Sequence, residues 1–403
     1  MSAFLTPYAD LLIALLKVLA VVLVLLTTVA YLSWFERKVV AHMQSRWGPE
    51  RVGPYGLIQP LADGAKFLFK EDPTPAGVDR VVYFLAPFLA LALAMSTIAV
   101  VPLGPGQLEI FGRRTWFSVA EVDVSLLVVF AITALSVYGV ALAGWASNSK
   151  YPLLGGLRSS AQMLSYEISM TMSVVGIVLV TNTFSLRQIV EGQRGPHGLL
   201  DWFFFPQFFG FVCFAISAVA ETNRAPFDLV EAEQELVGGF HTEYASFKFA
   251  MFFMAEYGAM VSVSLMVSVL FLGGYLSPFP DTPGFHWAYY LPAVSGVVGG
   301  GVLLVNGIRY HTALGRAVLP VVALVLIGVG VLCGLPSVIG VIQGPFWLAL
   351  KVFVLLFTYV WLRGTLPRLR YDQLMNFGWK VLLPVSLANV VITSLIVALR
   401  NKP

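Results

Sequence analysis

The chain has 403 residues, and its 25 Lys and Arg against 22 Asp and Glu give a formal net charge of only +3. Hydrophobic residues make up 58% of the sequence and charged residues 12%, whereas soluble domains carry about 25% charged residues. This composition argues against a soluble protein, and the small net charge argues against nucleic-acid binding. It predicts an all-α polytopic membrane protein whose residues 1–403 form a single integral-membrane domain.

A helix that crosses a bilayer needs about 20 mostly apolar residues. Most of the 25 Lys and Arg residues lie in loops on the same side as the loop that follows the first apolar segment. Because basic residues concentrate on the cytoplasmic side, both termini are predicted outside. The start lacks the basic residue of a secretory signal. About ten transmembrane helices are predicted: 11–35, 81–103, 122–146, 160–182, 202–221, 247–272, 287–308, 315–335, 345–363 and 380–399.

The first inside loop, 36–80, is long. Glu36 and Arg37 stand where the first helix leaves the apolar core, and Gly-Pro pairs then force turns. The following polar residues recur at offsets of four, three and four, which is one face of a helix: Gln59, Asp63, Lys66 and Lys70. Such an amphipathic helix would lie along the membrane interface, either as a linker or where a lipid-soluble substrate enters from the bilayer.

Two carboxylates lie inside apolar segments. Glu167 follows the second inside loop, 144–167, and Glu256 lies well inside the sixth helix. A lone intramembrane acid should face a cavity or a partner, and Arg158 and Arg224 are candidate partners for Glu167. The alternative for each acid is structural, namely a hydrogen bond or ion pair that joins two helices.

The loop 221–246 holds six carboxylates and a single Arg, Arg224. Carboxylates this close in a medium of reduced dielectric repel each other, so some should bind protons near neutral pH. This would make the loop a proton-handling site; the alternative is a solvated acidic connection between two helices. The acids are Glu221, Asp228, Glu231, Glu233, Glu235 and Glu243.

The last inside loop, 363–380, carries four basic residues and predicts a docking surface for either a soluble partner or lipid headgroups. Redox cofactors are not expected in this chain. Cys213 and Cys333 are far apart, whereas an iron–sulfur cluster needs about four thiolates. The five His residues lack metal-ligand spacing, and no GxGxxG motif for NAD or flavin is present.

Four stretches on the predicted inner side together resemble one family closely. That family is the quinone-channel H subunit of NADH–quinone oxidoreductase (respiratory complex I), whose mitochondrial counterpart is numbered 1. The stretches cover every inside loop except 309–316. They read ERKVVAHMQSRWGPERVGPYGLIQPLADGAKFLFKED, GWASNSKYPLLGGLRSSAQMLSYE, AETNRAPFDLVEAEQELVGGFHTEYASFKFAMFFMAEY and RLRYDQLMNFGWK.

The resemblance implies a subunit of a proton-translocating oxidoreductase that holds no redox centre itself. Its substrate would be a quinone, such as ubiquinone or menaquinone, in a bacterial inner (plasma) membrane. Its partners would be other membrane and peripheral subunits, including the soluble subunit that holds the terminal iron–sulfur cluster and antiporter-like subunits. The loop 363–380 would face the soluble arm.

The resemblance also implies roles for individual residues, with Arg224 paired to one of the acids. The residues that would line or border the quinone tunnel are Glu36, Arg37, Arg46, Gln59, Asp63 and Lys66. The residues of the proton or coupling path would be Glu167, Glu221, Arg224, Asp228, Glu231, Glu233, Glu235 and Glu256.

The sequence departs from the family in two places. The family has about eight spans, so the helix pair within 281–344 is interpreted as an insertion that packs in a lineage-specific way. Ala134 stands where some relatives carry a Glu. The alternatives for function are the equivalent subunit of a membrane-bound hydrogenase or of a ferredoxin- or F420-linked complex, a stand-alone proton-coupled transporter, and a membrane anchor for a redox arm.

Overall fold

The computed structural model describes residues 9–110, 112–228, 237–280 and 282–400. These residues form a bundle of α-helices with one short β-hairpin between the third and fourth helices. The helices are α1 Ala9–Met43, α2 Gln59–Phe69, α3 Arg80–Ser96, α4 Ser125–Ala146, α5 Lys150–Thr181, α6 Leu186–Glu191, α7 Phe208–Glu221, α8 Ser246–Phe271, α9 Leu291–Ile308, α10 Ala313–Cys333, α11 Pro336–Thr365, α12 Tyr371–Phe377 and α13 Leu383–Arg400. The strands are β1 Gln107–Ile110 and β2 Arg113–Trp116.

Within the described ranges, nine helical segments are long and apolar enough to cross a membrane, which confirms the all-α membrane class. The predicted fifth span, 202–221, is shorter than expected, because only its last 14 residues, Phe208–Glu221, are helical. At 1.5 Å per residue this helix extends about 21 Å, less than the roughly 30 Å of a hydrocarbon core. The residues before it form turns that end beyond Pro206; there the Phe204 amide donates to the Phe271 carbonyl oxygen at 2.9 Å.

The β-hairpin was not predicted. Its antiparallel register pairs Ile110 with Arg113, which leaves a two-residue connection, and Gly112 has φ +75°. A glycine in such a connection adopts a positive φ at little cost. The hairpin defines one end of the bundle, called here the hairpin end. The opposite end, called the acidic end, holds the loops that follow α1, α4, α7 and α11.

Helix α1 extends to Met43, eight residues beyond the predicted boundary, so Glu36 and Arg37 lie on a continuous helix. Helix α5 begins at Lys150, ten residues before the predicted start at 160. Glycines explain the earlier start, because they allow close backbone contact in a segment of low hydropathy. A Cβ atom on Gly155 would lie 2.7 Å from the Gly239 carbonyl carbon, so α5 directly supports the loop that precedes α8.

The two helices predicted as an insertion, α9 and α10, pack against each other through glycines. A Cβ atom on Gly330 would lie 2.8 Å from the Val297 backbone nitrogen, and one on Gly296 would lie 2.8 Å from the Gly330 Cα. Their outer faces expose branched apolar side chains such as Val298 and Val325. This is consistent with a packed helix pair that faces lipid, while its lineage-specific origin stays a prediction.

We predict that Gly330→Ala destabilises the α9–α10 pair by about 1–3 kcal/mol, because the added methyl group collides with the backbone of α9. Gly328→Ala is the matched control, since no atom lies within 4 Å of the position of its Cβ. The measurement is the thermal aggregation midpoint of the protein in solubilised membranes. Equal midpoints for the two variants would contradict the close packing.

Candidate functional site

Glu36 lies at the centre of a buried group of charged side chains at the acidic end. Only 5% of its surface is exposed. The Tyr257 hydroxyl donates to Glu36 Oε2 at 2.7 Å, and the guanidinium of Arg363 donates to Glu36 Oε1. A buried carboxylate is tolerated only when its oxygens are paired in this way.

Arg224 joins this carboxylate to a second one. Its Nη1 lies 3.5 Å from Glu36 Oε1, and its Nε lies 2.6 Å from Glu256 Oε1. The guanidinium also stacks over the Tyr257 ring, 4.3 Å from the centroid. We call Glu36, Arg224, Glu256, Tyr257 and Arg363 the Arg224 cluster. Its two carboxylates and two guanidinium groups balance in formal charge.

The fold brings the cluster together from distant parts of the sequence. Glu256 and Tyr257 are neighbours in α8, so they point about 100° apart and contact Arg224 from two directions. Arg224 lies in the turn after α7, where its backbone amide donates to the Val219 carbonyl oxygen at 3.4 Å. Gln162 of α5 fixes this turn, because its amide donates to the carbonyl oxygens of Ala220 and Phe227 at 2.9 and 3.0 Å.

The amphipathic helix α2 contacts α1 directly beside the cluster. Asp63 accepts from Arg37 Nη1 at 2.8 Å and from Gln59 Nε2 at 2.8 Å. Its polar face therefore binds the residue that follows Glu36, whereas Leu61 and Phe69 are 71% and 89% exposed. Pro60 lies in the first turn, as predicted. This arrangement is that of a helix along a membrane interface with its apolar face toward lipid.

A cavity of about 90 Å³ lies between the acidic loop and helices α3, α4, α5 and α8. Glu221 and Glu256 both line it, so it connects the Arg224 cluster to a second buried acid. The other lining residues are mostly aromatic or small, and they include Phe240, Phe249, Phe252, Phe253 and His241.

His241 is the titratable residue of the short turn Gly239–His241. Its ring packs edge-on against Phe240 and Phe249, with centroids 5.1 and 5.2 Å apart. Burial among these rings lowers the pKa of His241 from 6.5 to about 4. The side chain is therefore neutral at physiological pH and lies beside two carboxylates in the cavity.

The loop after α11 folds back onto the acidic loop. Arg368 Nη2 donates to Asp228 Oδ2 at 3.1 Å, and the Leu369 amide donates to the Pro226 carbonyl oxygen at 3.0 Å. In α12, the carbonyl oxygen of Leu374 accepts from the Tyr166 hydroxyl at 2.8 Å. The predicted docking loop, 363–380, is thus partly an internal contact, and its outward-facing part stays a candidate surface.

The structure brings together some of the predicted site residues and separates others. Arg224 pairs with Glu256, one of the acids that the resemblance implied, rather than with Glu167. For Glu167, no salt bridge is formed within the described ranges. Arg46 and Lys66 are exposed side chains at the edge of the site; Arg46 Nε donates to Gln44 at 2.8 Å. Glu231, Glu233 and Glu235 lie outside the described residues.

Three residues of the site were not predicted: Tyr257, Arg363 and His241. Tyr257 directly follows Glu256, and Arg363 ends the predicted span 345–363, so a search for polar residues beside buried acids would have found both. In the described part of the chain, no group of three His, Cys, Asp or Glu residues could hold a metal ion. The site therefore offers charge, hydrogen bonds and an aromatic cavity.

Comparison with known proteins gives a consistent result. A family model described as NADH dehydrogenase matches residues 16–394. The chain is 46% identical to an H subunit of NADH-quinone oxidoreductase from Solibacter usitatus, over 97% of this chain and 98% of the relative. It is 47% identical to an H subunit from Koribacter versatilis over the same shares, and 42% identical to the H subunit from Rhodospirillum rubrum over 95% and 93%.

We predict that Arg224→Gln destabilises the protein by about 3–5 kcal/mol, because it leaves Glu256 without its buried cation. Arg187→Gln is the matched control. Arg187 also combines a carboxylate, Glu121 at 3.1 Å, with an aromatic ring, but one third of its side chain is exposed. Removal of that pair should cost about 0–1 kcal/mol. The thermal midpoint in solubilised membranes measures both variants, and a loss no larger for Arg224→Gln would be incompatible with the cluster.

We also predict a pH effect that depends on His241. The unfolded chain protonates this residue below about pH 6.5, whereas the folded chain does so only near pH 4. Stability is therefore lost as the pH falls from 6.5 toward 4, by at most about 2 kcal/mol at pH 5. His241→Gln should remove this part of the pH dependence of the thermal midpoint. The exposed His197→Gln should leave the pH dependence unchanged; equal pH profiles of wild type and His241→Gln would refute the effect.

Proposed function

Because the chain belongs to the NADH dehydrogenase family, with the H subunits of NADH-quinone oxidoreductase, we propose that it forms the membrane part of a quinone tunnel and couples quinone reduction to proton translocation. The observation that carries this proposal is the Arg224 cluster. It holds two acids away from water, and it lies between an interfacial helix on one side and an aromatic cavity on the other.

The proposed entrance for quinone lies beside α2. The exposed apolar face of this helix meets lipid, and its polar face, through Asp63 and Arg37, leads to Glu36. A quinone headgroup that passes this contact would meet hydrogen-bond donors and a buried carboxylate. Gln59 holds Asp63 in place, while the exposed Arg46 and Lys66 add positive charge at the rim.

The proposed coupling is electrostatic. Reduction of a quinone to a quinol takes up protons and changes the charge beside the cluster. Since the cluster is balanced by close ion pairs, a proton gained by Glu36 or Glu256 would weaken the hold on Arg224. Glu256 lines the same cavity as Glu221, so this change would be passed along the buried acids.

The remaining acids extend the proposed path. Asp228 binds Arg368 and ties the path to the loop at the proposed interface with the soluble arm. Glu167 lies on α5, the helix that supports the acidic loop. Glu231, Glu233 and Glu235 alternate along that loop in the sequence. Repulsion among acids at this spacing favours shared protons.

In this proposal the chain works in a bacterial inner (plasma) membrane as a subunit without a redox centre. A soluble partner subunit supplies electrons from NADH through a terminal iron–sulfur cluster. Antiporter-like membrane subunits receive the conformational or electrostatic signal. The positive rim and the loop 363–380 would contact the soluble arm.

We predict that Tyr257→Phe in the assembled complex lowers the rate of quinone reduction about tenfold or more. The variant removes a charge-assisted hydrogen bond to Glu36, worth about 1.5–3 kcal/mol. Tyr275→Phe is the matched control, because it removes an equivalent bond to Glu191, 2.6 Å long, near the hairpin end. Electron transfer from NADH to water-soluble ferricyanide should stay normal in both variants. Equal quinone rates in the two variants would defeat the proposal.

A further inference from the structure

A second concave surface lies on another face of α1. It is an open groove of about 750 Å³, within the range of about 300–1,000 Å³ that is usual for ligand sites. Its floor is the inner half of α1, and its wall is the loop that follows α1. We call it the Trp34 groove; its lining residues include Trp34, Phe35, Val39, Met43, Trp47 and Tyr55.

The Trp34 groove is separate from the proposed quinone entrance. Arg37 points toward α2, whereas Lys38, about 100° further around the helix, points into the groove. Its described lining comes from α1 and residues 47–55, with no contribution from α2 or α8.

The turn between α9 and α10 closes one side of the groove. The Tyr55 amide donates to the Tyr310 hydroxyl at 3.0 Å, and the two rings lie 4.9 Å apart. The Trp34 indole donates to the Tyr55 carbonyl oxygen at 3.2 Å. Trp and Tyr side chains concentrate at the level of lipid headgroups, so this ring of aromatic residues indicates the depth of the groove in a bilayer.

The charge around the groove is positive. Lys38 lines it and pairs with Glu50 at 3.3 Å, which leaves that pair neutral. Arg309 and Arg316 flank the turn that holds Tyr310, and both are exposed. An apolar floor below a basic rim is complementary to an acyl chain below a negatively charged phosphate.

We propose that the Trp34 groove binds an anionic phospholipid, with an acyl chain along Trp34 and Phe35 and the headgroup near Arg309 and Arg316. The bound lipid fills the space between α1 and the α9–α10 pair and supports the loop that leads to α2. This inference stands on the groove and its charge alone, and it does not depend on the tunnel proposal.

The test uses the purified assembled complex in nanodiscs that contain diazirine-labelled phosphatidylglycerol or diazirine-labelled phosphatidylcholine. Labelling of peptides from residues 34–55 is expected to be at least about fivefold higher with phosphatidylglycerol. The double variant Arg309→Gln/Arg316→Gln should remove most of this preference. Arg113→Gln/Arg114→Gln, which removes two exposed charges at the hairpin end, should leave it intact.

Three outcomes would overturn the proposal. Equal labelling by both lipids in the wild type would show that the groove does not select an anionic headgroup. Loss of labelling on addition of excess quinone would identify the groove as a quinone site. Labelling elsewhere on the chain but none within 34–55 would show that another subunit covers the groove.

Discussion

A carboxylate far from water must be paired, and the acidic end is built around this requirement. Glu36 and Glu256 come from two different helices, and Arg224 contacts both at 3.5 and 2.6 Å. Removal of one partner from a buried pair costs about 3–5 kcal/mol, so α1, α8 and the turn after α7 cannot move apart independently. The short α7 and the Gln162 hydrogen bonds place Arg224 where this pairing is possible.

The same requirement makes the cluster sensitive to charge. A set of side chains that balances two negative and two positive groups responds to any proton added beside it. The neighbours of the cluster give that response a direction. Asp63 and Arg37 connect it to the interfacial helix, and the cavity at Glu221 and His241 connects it to the acidic loop.

The hydropathy of the chain and the polar offsets from Gln59 to Lys70 predicted the membrane helices and α2, because these features are local in the sequence. The concentration of acids predicted where the site would be. The partner of Arg224 was not predictable, since Glu36 lies 188 residues away and only the packing of three helices brings them together. The early start of α5 was missed for a related reason: its glycines pack closely but contribute little hydropathy.

Photo-crosslinking with a diazirine-bearing quinone on the assembled complex tests the central claim most directly. If the Arg224 cluster borders the quinone path, the label will be found in peptides that contain Glu36, Asp63 or Tyr257. A tunnel inhibitor will reduce that labelling. Label confined to other subunits, with these peptides unmodified at saturating quinone, would contradict the account.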